Sequence, residues 1–356
     1  MLAAGMPPPQ VRLTWSMTND LVAAARRLAD DRLTPGAEEV DRTGVRRDDL
    51  DALASAGLLG VACAPPQTFR SVQEVLAGAD ASTWFVQAQH HYPVRLLADA
   101  GSPSLRAVRD DLITGRRVAG VAFSHLRRWP ERPVAVTRVD GGWRYDGFVP
   151  WFTGWGLNDV LGLGGATADG EVVFGLVDAR ESPALTPTPP MRLAALTAAS
   201  TVQLRLEALV VPDDLVIARL PVEQWRAGDL RTTVTVNPAV LGIAQAATTR
   251  LAELGERRRL AEACDLARVL DSRLSDVRTS AYALADDPDA DPGAALAHRV
   301  AAQRLCLDAT AALVAAGAGG SMALADPAQR WAREALFLIV QGQTLDARQA
   351  MLRTWG

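Results

Sequence analysis

Residues 142–159 read GWRYDGFVPWFTGWGLND. Aromatic residues and valine dominate this stretch and glycines interrupt it, which is typical of β-strands joined by tight turns. Similar short runs lie on both sides, namely VAGVAF and VAVTRV before it and DVLGLGGA, EVVFGLVDA and TVQLRLEALVV after it. We therefore predict a β-domain of barrel or sandwich type at residues 118–222.

Helical periods flank this β-domain on both sides. Apolar residues recur three and four positions apart from Thr18 to about Arg117, which predicts an N-terminal helical domain at residues 1–117. The same spacing returns after the β-domain and predicts a C-terminal four-helix bundle at residues 223–356. The fold class is thus α+β. The expected bundle helices are Val236–Arg259, Glu262–Ala285, Ala294–Ala316 and Pro327–Arg353.

The composition restricts the partners and the location of the chain. Its 356 residues include 37 basic and 41 acidic side chains, for a net charge of −4. This balance argues against nucleic acid or an anionic membrane as a partner and favours small molecules or copies of the same chain. Apolar runs break before the roughly 20 residues that span a bilayer, so no transmembrane helix is expected. Residues 1–10, MLAAGMPPPQ, lack the features of a signal peptide, and we expect a disordered leader on a cytoplasmic protein.

The three cysteines are Cys63, Cys264 and Cys306. Their odd number and wide spacing do not match a disulfide framework or a set of metal ligands. We therefore expect buried thiols and no metal centre.

Several segments together resemble one family, the acyl-CoA dehydrogenase superfamily. The stretch at residues 142–159 is similar to the family's strand–turn–strand, and five further segments resemble family segments in the same order along the chain. The resemblance implies a flavin-dependent oxidoreductase that binds FAD and assembles as a homodimer or homotetramer. The five segments are GLLGVACAP (57–65), VQEVLAGADASTWF (72–85), ALVVPDDLVI (208–217), NPAVLGIAQAA (237–247) and GAGGSMALADPAQRWAREA (317–335).

The resemblance assigns three residues to the flavin ring. It implies that Trp151 lies against the isoalloxazine, that the Thr153 hydroxyl points at a ring nitrogen, and that Ser124 binds the pyrimidine edge. An indole offers a flat apolar surface and a hydroxyl can donate to a nitrogen that gains charge on reduction. From the residues alone, Trp151, Phe152 and Trp155 would instead form a core cluster.

The phosphate end of the cofactor would use other residues. The resemblance implies that Arg257 or Arg258 meets the diphosphate, with Gly319 and Gly320 allowing a close backbone approach. Ala316 stands where the family has a glutamine, so FMN, loosely held FAD or a shuttled flavin remain open.

Two groups of basic residues have simpler explanations. His125, Arg127 and Arg128 could face an anionic group, although an exposed basic loop edge is the commoner arrangement. Arg330 and Arg333 lie three positions apart on one helical face, and we expect structural ion pairs from them.

The usual catalytic base is missing. The resemblance implies a glutamate that removes a proton from the acyl thioester, and Gln341 stands at that position with Gly342 beside it. A neutral amide cannot accept a proton at working pH. The family's alternative position for the base falls near Thr232, where the chain has no glutamate, and Asp229 would reach it only if the helix start shifts by about one turn.

Three functions remain open on this basis. The chain could be a dehydrogenase with an unrecognised base, or a monooxygenase that uses reduced flavin from a flavin reductase together with oxygen. It could also be a non-catalytic paralogue that binds flavin or an acyl group. The substrate would be an acyl thioester or an aromatic compound with an apolar body.

His90 and His91 bear on the choice between these functions. The resemblance implies that a histidine such as His91 could transfer a proton near the flavin in an oxygen-using enzyme. The alternative is a pair of histidines on a helix surface or an interface.

Overall fold

The computed structural model describes residues 15–355, with side chains from Asp20 onward. The leader expected at residues 1–10 lies outside the described residues. Six helices come first, with a π-helical segment, Ala29–Leu33, between α1 and α2. Asp80 begins α5 by accepting hydrogen bonds from the backbone N–H groups of Ser82 and Thr83. The helices are α1 Trp15–Leu28, α2 Thr34–Thr43, α3 Arg47–Ser55, α4 Pro66–Ala79, α5 Ala81–Leu96 and α6 Pro103–Thr114.

One mixed sheet follows, with its strands between residues 119 and 221. Its order is β6-β7-β3-β2-β4-β5-β8, and β1 pairs in parallel with β4. The Tyr145 hydroxyl on β3 donates to the Val173 carbonyl on β5, at 3.1 Å, although these strands are not neighbours. The sheet therefore folds over itself around an apolar core, as a barrel or sandwich does. The strands are β1 Ala119–Ala122, β2 Val134–Val139, β3 Gly142–Phe152, β4 Val160–Ala166, β5 Glu171–Asp178, β6 Leu185–Pro187, β7 Val202–Pro212 and β8 Val216–Pro221.

The C-terminal region contains the expected bundle with two differences. Helices α8 to α11 pack on one another, with α8 and α10 at the centre. An additional helix, α7, precedes the bundle, and the helix expected at Pro327–Arg353 ends at Val340. Gly342 has a φ of +60°, a conformation that suits glycine and interrupts the helix. The helices are α7 Val222–Val234, α8 Pro238–Arg258, α9 Ala261–Asp286, α10 Pro292–Gly317, α11 Pro327–Val340 and α12 Leu345–Leu352.

The two helical regions share one core. Helix α4 packs on α8 where Gly78 meets Gly242, and a Cβ at Gly242 would lie 2.1 Å from the Glu74 carbonyl oxygen. The largest apolar cluster accordingly contains residues from both regions, whereas the sheet has a cluster of its own. This close contact fixes the N-terminal helices on the bundle, with the sheet beside them.

The expectation of three buried thiols needs correction. Cys306 is buried, but Cys63 and Cys264 are only half-buried. In the described part of the chain, one segment, Pro292–Met322, is long and apolar enough to cross a membrane by length and composition alone, which is weak evidence for a membrane span. It comprises α10 and the short turn after it, and α10 packs between the other bundle helices as a core helix does.

Candidate functional site

The end of β3 presents one exposed tryptophan. Phe152 is fully buried, and its ring lies edge-on to the Trp155 ring with 6.0 Å between the ring centroids. Trp151, by contrast, is 52% exposed. Side chains alternate between the two faces of a strand, which separates Trp151 from this pair. Trp151 is thus not part of the core cluster that the residues alone suggested. Its indole offers the flat apolar surface that a flavin ring would need.

Thr153 is buried directly after this strand. Its hydroxyl lies 3.1 Å from the hydroxyl of Thr201, and its carbonyl accepts a hydrogen bond from the Asn158 side chain at 2.9 Å. These contacts fix the position of Thr153, which follows Trp151 by two residues. Sequence reasoning missed Thr201 and Asn158, although Asn158 follows a glycine-rich turn of the kind that asparagine often stabilises.

The segment after β1 is not a uniform basic edge. Ser124 is half-buried at the start of a short 3-10 helix, and His125 is buried, with its Nε2–H donating to the Gly164 carbonyl at 2.7 Å. Burial lowers the pKa of His125 to about 4, so this imidazole is neutral. Arg127 is half-buried and Arg128 is exposed beside Glu131. Only Arg128 matches the exposed loop that was expected.

Arg127 connects this segment to α7. Its guanidinium makes two hydrogen bonds of 2.7 Å to the carboxylate of Asp229. Asp229 was the alternative candidate for a base, and in this pair its carboxylate is held by a cation.

Gln341 lies at the end of α11, next to the start of α8. Its side-chain oxygen accepts a hydrogen bond from the Asn237 amide at 3.1 Å. The Asn237 side-chain oxygen caps α8 through the N–H of Ala239 at 3.0 Å. Asn237 was not identified from the sequence, although an asparagine before a proline is a standard signal for a helix start.

Arg299 joins this group from α10. It donates to the carbonyl oxygens of Thr233, Gln341 and Gly342, at the ends of α7 and α11. Burial, together with the positive charge of Arg127, lowers the pKa of Arg299 to about 10. Sequence reasoning missed Arg299 as well, although a charge within the apolar run ALAHRVAAQRL was a visible signal.

The residues expected at the phosphate end also lie near one another. Arg258 donates to the carbonyls of Ala316 and Gly317, both at 3.1 Å, so the end of α8 meets the loop that carries Gly319 and Gly320. A Cβ at either of these glycines would meet no atom within 4 Å, which leaves space for a close approach. Arg257 is exposed at the same end.

His90 and His91 are buried in α5 and are not surface residues. His90 accepts from the Ala119 N–H at 2.9 Å and donates to the Leu112 carbonyl at 3.1 Å. His91 accepts from the Gln73 amide at 3.3 Å. Burial lowers the pKa of His90 to about 4 and that of His91 well below its usual value. Enclosure in the core does not favour His91 as a proton donor to a ligand, and its catalytic role stays a prediction.

Arg330 and Arg333 make the structural ion pairs that were expected. Arg330 is buried and bonds to Glu334 at 3.0 Å and to Glu38 at 3.2 Å. Arg333 pairs with Asp41 at 2.6 Å. Both arginines tie α11 to α2, so they hold the bundle to the N-terminal helices.

Comparisons with known proteins support a specific fold. No family model and no curated protein matches the chain. Among solved structures, butyryl-CoA dehydrogenase from Megasphaera elsdenii is 15% identical with a TM-score of 0.81, over 97% of this chain and 99% of that one. Glutaryl-CoA dehydrogenase from Mycobacterium smegmatis, in complex with FADH2, is 15% identical with a TM-score of 0.78, over 96% and 95%. PigA with FAD and proline is 16% identical with a TM-score of 0.78, over 97% and 99%. At these identities the likeness is one of fold.

Proposed function

This chain has the acyl-CoA dehydrogenase fold, and from that premise we propose that it is a flavin-dependent oxidoreductase in which residue 341 is not the catalytic base. The observation that carries the proposal is the exposed Trp151, followed two residues later by the buried Thr153. The similar structures include proteins in complex with FADH2 or FAD, which supports FAD as the cofactor. A bound flavin would accept or deliver the electrons of the reaction.

The residues of this chain fit such a cofactor at both ends. Trp151 would stack on the ring, Thr153 would donate a hydrogen bond to it, and Ser124 would meet the pyrimidine edge. At the other end Arg257 would bind the phosphates, and Gly319 and Gly320 would let the backbone approach them. Arg258 already donates to two carbonyls, which leaves Arg257 as the better candidate.

A monooxygenase is the second candidate. The side-chain amide of Gln341 is hydrogen-bonded to Asn237, and the nearest acid proposed for the reaction, Asp229, is paired with Arg127. Oxygenation by reduced flavin needs no base for an α-proton, so this arrangement favours it over ordinary acyl-CoA dehydrogenation. A flavin reductase would then be a partner.

Assembly into a homodimer or homotetramer is part of the proposal. Met322, Leu324, Leu336 and Val340 expose apolar side chains on α11 and the turn before it. Exposed apolar side chains of this kind are common in protein interfaces. The mass of the particle in solution, measured by light scattering, tests this part separately.

The first experiment is an absorption titration of the purified protein with FAD and with FMN, followed by removal of free flavin. We expect retained FAD with a flavin spectrum, and about fivefold weaker binding in Trp151→Ala, because a stacking contact contributes about 1 kcal/mol. Trp151→Phe should retain most of the affinity. Trp355→Ala removes another exposed tryptophan and should have no effect.

The second step separates the two reactions. The flavin-loaded protein is reduced anaerobically and then given oxygen in the presence of candidate aromatic substrates, or it is mixed in oxidised form with acyl-CoA. Incorporation of oxygen into product supports the monooxygenase, and bleaching by acyl-CoA supports the dehydrogenase. A protein that binds neither FAD nor FMN, in oxidised or in reduced form, contradicts the proposal and supports a non-catalytic paralogue.

A further inference from the structure

Arg299 is a buried cation that meets only main-chain oxygens. Its side chain lies in the bundle with 7% of the residue exposed, and its three hydrogen bonds go to the carbonyls of Thr233, Gln341 and Gly342. Within residues 20–355, no salt bridge involves Arg299. The negative ends of α7 and α11 offset part of its charge. A buried charge without a full countercharge is costly, so the site favours the arrival of an anion.

A second guanidinium, that of Arg127, adds to the uncompensated positive charge. Arg127 is linked to Arg299 through α7, because the main-chain carbonyl of its partner Asp229 accepts a hydrogen bond from the Thr233 hydroxyl at 2.9 Å and the Thr233 carbonyl accepts one from Arg299. The charge of Arg127 also contributes to the lowered pKa of Arg299. The only carboxylate in the group, that of Asp229, is engaged by Arg127 through two hydrogen bonds. Two cations and one carboxylate leave one positive charge, in a place where low polarity strengthens electrostatic interactions.

Gln341 supplies a donor at the same place. Its side-chain oxygen is engaged by Asn237, which leaves the Nε2–H groups at the other end of the amide. Its main-chain carbonyl is 3.0 Å from the Arg299 guanidinium, so the two residues are in direct contact. A carboxylate at this position would neutralise Arg299, whereas an amide adds a donor.

We propose that Arg299, Arg127 and Gln341 form a subsite for the carboxylate of a small organic acid. The role of that acid as a substrate rests on the proposed flavin-dependent function, but its binding does not. The subsite replaces proton removal at residue 341 by recognition of an anion. Guanidinium groups match the two oxygens of a carboxylate better than a single ammonium would.

The binding experiment uses the purified full chain without flavin. Butyrate and benzoate are titrated at constant ionic strength and compared with butyramide and benzamide, which have the same shape without the charge. We expect the acids to bind at least about tenfold more tightly than the amides, because charge-assisted hydrogen bonds are roughly twice as strong as neutral ones. Inorganic phosphate is the third probe. Binding of phosphate without binding of carboxylates would overturn the proposal and indicate a cofactor-phosphate site.

Two variants and one control localise the effect. Arg299→Gln should weaken carboxylate binding by about tenfold or more, since it removes the cation. Gln341→Glu keeps the arginine, places a carboxylate beside it and should weaken binding to a similar extent. Arg304→Gln changes another arginine of α10, which pairs with Asp308 at the bundle surface, and should bind like the wild type.

The outcomes are separable from those of the flavin experiments. Equal binding of acids and amides, or unchanged binding in Gln341→Glu, would overturn the subsite even if the protein is an active flavoenzyme. Carboxylate binding that is lost in both variants would support the subsite even if no flavin is retained. If Arg299→Gln does not fold, Gln341→Glu alone decides.

Discussion

Arg330 and Arg299 are both buried in the bundle, but their surroundings differ. Arg330, with 1% of its side chain exposed, is bonded to Glu334 and Glu38 and lies near Asp80. Burial alone would lower its pKa, and these carboxylates outweigh that effect and raise it. Arg299 meets carbonyls and a second arginine, and its pKa is lowered. The first region has its countercharges within the fold, whereas no carboxylate of the described residues forms a salt bridge with Arg299.

The variant with the largest expected effect on this comparison removes Arg330. Arg330→Met leaves the buried carboxylate of Glu334 without its cation, and we expect a loss of about 3–5 kcal/mol in the free energy of unfolding. Urea titration measures it. The double variant Arg330→Met/Glu334→Leu removes both charges and should recover much of the loss. A single variant as stable as the wild type would contradict the structural role.

Acid conditions test a second kind of buried group. Both arginines stay charged below neutral pH, whereas the buried histidines stay neutral in the fold and take up a proton in the unfolded chain. The pKa of His125 is about 4 in the fold, against about 6.5 in the unfolded chain. The unfolded chain therefore binds the extra proton between these values. Stability is full above about pH 6.5 and falls as the pH drops towards 4, by roughly 3 kcal/mol for this residue.

Unfolding midpoints measured in urea from pH 7 to pH 4.5 check this expectation. His125→Gln should reduce the slope of stability against pH by about 1.4 kcal/mol per unit. An unchanged slope would show that His125 does not remain neutral in the fold. His90, with a pKa of about 4, should contribute with the same sign.

Removing Arg299 should cost less stability than removing Arg330. Arg299→Gln leaves carbonyls at the ends of α7 and α11 with fewer donors but also relieves a buried charge, and we expect a loss of about 1–2 kcal/mol. Urea titration beside Arg304→Gln, which should change stability by less than about 0.5 kcal/mol, measures it. A loss as large as that of Arg330→Met would mean that both arginines serve the fold alone.

Much of the fold was predictable because the spacing of apolar residues in its helices and strands is clear. The run VAVTRV coincides with β2 at Val134–Val139, and α8, α9 and α10 begin and end within a few residues of the expected helices. Helix α7 was missed, since its sequence VEQWRAGDLRTTV has no strong apolar face. The break after Val340 was also missed, because one glycine in a helical pattern does not show whether the helix ends there.

The site was less predictable than the fold. The exposure of Trp151 depends on which face of β3 the sheet buries, and the burial of His90 and His91 depends on α5 being enclosed on all sides. A helix buried all round has no period to reveal it. Arg299 acquires its surroundings only because α7 and α11 end at the same point. The roles of Ser124, Trp151 and Thr153 with a flavin stay predictions.

Asn237 has one further consequence, for the chemical durability of the protein. The side-chain amide of an asparagine is commonly converted to a carboxylate over time. The next backbone nitrogen attacks the side-chain carbonyl carbon and releases ammonia, and water then opens the cyclic imide that results. Here the next residue is Pro238, whose nitrogen carries no hydrogen. The amide that both caps α8 and holds Gln341 is therefore protected from this ageing reaction by the residue that also starts the helix.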